Sequence, residues 1–152
     1  MPLKQLLTWP VAAIRYWRCR PEIRSLVIVE GRDEVFARLS ADMAFLGLSI
    51  ARAESVQEAR QALASSGVDL VLANREISAD ESGWLSVSKW ASKYNRPRIW
   101  LYTAWPASLD EHWRTFTKVE RLLYYGGNVW LLSELISAEI VFGFERSRKR
   151  CA

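Results

Sequence analysis

Short apolar runs and longer stretches with helical spacing alternate along most of this chain. Ser25–Glu30 (SLVIVE) is apolar up to its last residue, and Val68–Asn74 (VDLVLAN) and Arg98–Thr103 (RIWLYT) share that form. Runs of this kind read as strands buried on both faces. Leu48–Ala53 and Val119–Tyr124 read as two more. Between them, Val35, Phe36, Leu39, Met43 and Leu46 recur at helical spacing, as do Val56, Ala59 and Leu63, then Val87, Trp90 and Ala91. Leu109, Trp113 and Phe116 mark a fourth helix; Val129, Leu132, Leu135, Ile136 and Ile140 mark a fifth. Asp33 is placed to cap the first helix, which runs to Leu46 before Gly47. Ser55, with Glu58 three residues on, has capping-box spacing for the second. The predicted order is β-α repeated five times. That order implies an α/β three-layer sandwich, with a central five-stranded parallel sheet between helix layers.

The pattern divides the chain into three. Residues 25–142 form the domain. Residues 1–24 are an amphipathic basic extension, in which Leu3, Leu6, Leu7, Val11, Ile14 and Trp17 are interrupted by Pro10. Residues 143–152 read as a basic tail that frays from about Phe142.

Composition changes this picture in two ways. The net charge of +4 is carried by the ends: Arg146, Arg148, Lys149 and Arg150 at one, Lys4, Arg15, Arg18, Arg20 and Arg24 at the other. The basic balance therefore describes the terminal segments, and the domain between them leans acidic. Eight tryptophans among 152 residues exceed ordinary usage. Core filling accounts for some, and exposed anchors for a partner account for the rest.

Other chemistry finds little support. Cys19 and Cys151 are far apart, and His112 is the sole histidine, so no metal-ligand spacing or disulfide framework exists. His112 adjoins Glu111 and Asp110, but neighbouring helix positions do not face each other. No Gly-rich phosphate loop follows a strand. No catalytic residue, metal site or cofactor is expected, and the chain does not read as an enzyme. Two sparse thiols suit a reducing, cytoplasmic setting.

The polar ends of the strands carry the most information. Glu30 and Gly31 follow the first strand, Asn74 closes the third, and Thr103 closes the fourth. A chain with this element order and these strand ends resembles the CheY-like receiver domain of bacterial response regulators, over about Ser25 to Ile140. The resemblance implies a flavodoxin-like fold with a phosphoacceptor pocket. The family places two acids after the first strand to bind magnesium, a phosphoacceptor Asp after the third, a hydroxyl after the fourth and a Lys after the fifth. Glu30 matches the first acid, but Gly31 stands at the second, Asn74 at the phosphoacceptor and Tyr125 or Gly126 at the Lys. Thr103 matches the hydroxyl.

An amide is not a nucleophile towards phosphorus. Magnesium binds through oxygen ligands, commonly one or two carboxylates. The resemblance thus implies a degenerate pseudo-receiver, with Asn74 bonded to Glu30, Thr103 or loop amides. The expected function is a phosphorylation-independent signalling or adaptor module in a two-component pathway, working by protein contact. The partner is a protein, with a homodimer first in line. The resemblance points to the aromatic face of Trp105, Trp113, Phe116, Tyr124, Tyr125 and Trp130 as the interface. The alternative is a regulator peripheral to a membrane or nucleic acid, using its basic ends.

Overall fold

The computed structural model describes residues 23–64, 67–76, 97–106 and 119–151, with side chains as far as Phe142. Five strands form one sheet: β1 (Ser25–Val29), β2 (Ser49–Ala53), β3 (Leu70–Asn74), β4 (Arg98–Thr103) and β5 (Arg121–Tyr124). All pair in parallel, in the order β2-β1-β3-β4-β5. Three helices are described: α1 (Asp33–Met43), α2 (Val56–Ala64) and α3 (Val129–Cys151). The helices expected near Trp84–Tyr94 and after Pro106 lie outside the described residues, as does the extension 1–22.

Register follows from side-chain size. Ile28, Leu72 and Trp100 align across three strands, and their period-two companions Leu26, Leu70 and Tyr102 share their face. Leu39, Met43 and Leu46 from the first helical stretch and Leu132, Ile136 and Ile140 from α3 cover that face. The opposite face is built from smaller residues, among them Val27, Val29, Val71 and Ala73, and meets Ala59 of α2. Two-faced burial is why the central strands are apolar without alternation.

Several boundaries differ from the sequence reading, each for a local reason. The third strand starts at Leu70 because Asp69 turns to serve β1: its Oδ2 accepts the backbone N–H of Arg24 at 2.8 Å and of Ser25 at 3.1 Å. The fifth strand is likewise trimmed to Arg121. α1 tightens into a 3-10 turn at Ala44–Leu46, and Gly47 ends it in the left-handed region at φ 66°. Asp33 is not the cap of α1. Arg32 holds that position without a side-chain cap, and Asp33 is the first helical residue, 2.7 Å from Nη1 of Arg52.

At α2 the Ser55 hydroxyl accepts the Glu58 N–H at 3.2 Å, and the Glu58 carboxylate reaches the N–H of Glu54 at 2.7 Å. Asn128 caps α3, accepting the Leu131 N–H at 3.2 Å. α3 does not fray at Phe142; its backbone stays helical through Cys151. Among the described residues, no helix is long and apolar enough to cross a membrane.

Candidate functional site

Strand order reverses on either side of β1, where β2 lies to one side and β3 to the other. Beyond the carboxyl ends of β1 and β3, such a reversal leaves a crevice. Here it is a cleft of about 330 Å³, lined by Glu30, Gly31, Arg32, Asn74, Glu76, Ala104, Trp105 and Tyr125.

Glu30 is its floor. The side chain is 1% exposed, an expensive place for a carboxylate unless it is well bonded. Its oxygens are fully engaged. The hydroxyl of Tyr102 donates to Oε2 at 2.5 Å. The Asn74 amide donates at 3.1 Å to Oε2 and 3.4 Å to Oε1. Arg32 forks onto both oxygens, with Nε 3.0 Å from Oε1 and Nη2 3.1 Å from Oε2. The Arg32 backbone N–H adds a contact to Oε1 at 3.1 Å. The same Nη2 also donates to the Tyr125 hydroxyl at 3.1 Å. Burial pushes the Glu30 carboxyl up, but the hydrogen bonds from Arg32 and Tyr102 outweigh it, and the group sits below its ordinary range. Burial and the Glu30 charge push the Tyr102 phenol up, so it remains a donor.

A second chain of bonds lies beside the first. The Asn74 carbonyl accepts the Glu76 N–H at 3.0 Å. The Thr103 hydroxyl donates to the Glu76 carboxylate and accepts the Trp105 N–H at 3.2 Å. Asn74 thus bonds Glu30 and a loop amide, as its placement suggested, and does not bond Thr103 directly. Gly31 has an ordinary φ, and a Cβ built there would meet nothing closer than Glu54 O at 3.7 Å. The backbone therefore does not exclude an acid at that position.

The donor set does not fit magnesium. A carboxylate offers about four lone-pair positions, and those of Glu30 are taken by donors from three residues. The only oxygen of the Asn74 amide is occupied too. The Arg32 guanidinium, 3.0 Å from Oε1, already supplies the positive charge that buried Glu30 requires. Among the described residues no group of three or more His, Cys, Asp or Glu gathers as a metal cage.

The sequence reading singled out Glu30, Gly31, Asn74 and Thr103, and all four reach this edge. It missed Arg32 and Tyr102. Strand parity could have found Tyr102, since Asn74 pairs with Tyr102 in the register and both share the face of Glu30. The expected aromatic interface needs one correction. Tyr125 is 2% exposed, stacks edge-on against Tyr102 at 5.8 Å and bonds Arg32, so it belongs to the pocket. Trp105, Tyr124 and Trp130 are exposed. Trp113 and Phe116 lie outside the described residues.

No protein-family model matches the sequence, and no curated protein does. Solved structures do match. The response regulator TrrA of Thermotoga maritima, in complex with Mg2+ and BeF, superposes with a TM-score of 0.61 at 20% identity, covering 76% of this chain and 98% of its own. A CheY-like receiver domain from Methylobacillus flagellatus gives 0.60 at 16% identity, with 76% and 98% coverage. A streptococcal structure, described as one of a family of redox sensors evolved from two-component response regulators, gives 0.65 at 17% identity, covering 85% of this chain and 56% of that one. At these identities the likeness speaks to architecture: the fold of this chain is that of response-regulator receiver domains.

Proposed function

We propose that this chain is a receiver-like signalling module that works without phosphorylation, through contacts with another protein. The observation that carries the reading is the saturation of Glu30. A receiver pocket working by phosphoryl transfer needs a free carboxylate nucleophile and oxygen ligands for a cation. In this chain the acceptor position holds Asn74, and the remaining acid is tied to Tyr102, Asn74 and Arg32. The streptococcal structure is a precedent, by its own description, for reuse of the scaffold beyond the response regulators it evolved from. Exposed Trp105, Tyr124 and Trp130 supply the kind of side chains that anchor protein interfaces, with a second copy of the chain as first candidate partner.

Incubation with magnesium and a small-molecule phosphodonor, followed by intact-mass measurement, tests the reading. No covalent phosphoryl adduct is expected. A stable adduct abolished by Glu30→Gln or Glu76→Gln would overturn it.

A further inference from the structure

Arg32 does more in this pocket than pair with one acid. Its guanidinium meets Glu30 at the end of β1 and, on the other side, the hydroxyl of Tyr125, whose ring reaches back from the end of β5 past Tyr102 of β4. It neutralises Glu30 through a two-pronged contact and holds the Tyr125 hydroxyl with the same Nη2. Neutralising a buried acid and tying neighbouring loops together are the two structural tasks of a bound divalent cation. Burial of Glu30 makes the first task obligatory, because a lone buried carboxylate would be strongly penalised.

We propose that Arg32 is the resident cation of this pocket, taking the place of a divalent ion, and that Arg32 itself keeps magnesium out. This rests on the reading of the chain as an altered receiver and adds what alters it. The missing acids alone do not account for exclusion. Gly31 has room for a larger side chain, and Asn74 differs from Asp by one amide. With both acids restored, the guanidinium would still cover Glu30 from the solvent side and repel a doubly charged ion. Arginine suits the role because its fork is planar and permanently charged, whereas a lysine ammonium could not grip both oxygens and Tyr125 in that geometry.

The test compares three full-length proteins by titration calorimetry with magnesium chloride: the wild type, Gly31→Asp/Asn74→Asp, and that double variant with Arg32→Ala added. No binding heat is expected from the first two. The triple variant should bind magnesium tighter than the double by more than about tenfold, a modest effect for removing a like charge from a partly buried site. A double variant that binds as tightly as the triple would overturn the proposal, as would a folded triple variant that ignores magnesium. Should the triple variant fail to fold unaided, its refolding yield is read against magnesium concentration. A saturable rise, absent with sodium chloride of equal ionic strength, supports the proposal, and a flat response overturns it. These outcomes are separate from those for phosphorylation: an adduct on the wild type would sink the functional reading, whereas magnesium binding by the double variant as tight as by the triple would sink only the role of Arg32.

Discussion

Two oxygens on Glu30 receive donors from Tyr102, Asn74 and Arg32, and of these Tyr102 can lose its donor with little change in shape and none in charge. Tyr102→Phe keeps the ring against Tyr125 and removes one charge-assisted bond, at a cost of about 2 kcal/mol. The change also has a signature in acid. A carboxyl held low in the folded state contributes stability that is complete above its ordinary value and is lost as pH falls through the lowered one. Weakening that hold raises the folded value, so Tyr102→Phe should unfold at higher pH than the wild type. Circular dichroism through an acid titration reads this directly, and coincident midpoints would refute it. At this scale the sequence exposed the residues that end strands, because a polar group after an apolar run stands out. Tyr102 lies inside such a run and Arg32 lies in a turn. Their roles depend on cross-strand register and on a side chain folding back, and neither has a local signal.

Helix boundaries show the same division. Ser55 and Glu58 were legible because a cap is made by residues close in sequence; the Ser55 bond formed, and Glu58 reaches back one residue further, to the N–H of Glu54. Ser55→Ala should cost about 1 kcal/mol in urea unfolding. The slope of stability against pH should stay as it is, since α2 contributes nothing to the pocket; a changed slope would show the two to be coupled. Asp33 failed as a cap because Arg52 claims its carboxylate at 2.7 Å and the chain enters α1 through Arg32 instead. The end of α3 was misread for a different reason. The change from apolar to charged residues after Phe142 looked like a boundary, but Glu, Arg and Lys are good helix formers, and a shift in polarity does not stop a helix.

For the molecule as a whole, the parallel sheet followed from the alternation of strand and helix patterns, while its register became visible only in the structure, where large residues align on one face. Strand order was outside the reach of local pattern, since it is fixed by which crossovers pass over which face. Leu72 sits in the middle strand, level with Ile28 and Trp100, and is fully buried. Leu72→Ala should lower stability by roughly 2–5 kcal/mol. The urea midpoint should fall while the slope stays constant, and a changed slope would mean that the sheet no longer unfolds as one unit. The length of α3 bears on a different property. Its 23 residues span about 34 Å. Since helices return against the strands, and strands of five residues rise only about 17 Å, α3 runs past the sheet edge away from Glu30, the edge at which the chain enters β1. Exposed Arg24 and the last turns of α3 thus lie away from the Glu30 cleft. A tether fixed at the end of α3 would hold the protein to a surface with that cleft still open to a partner.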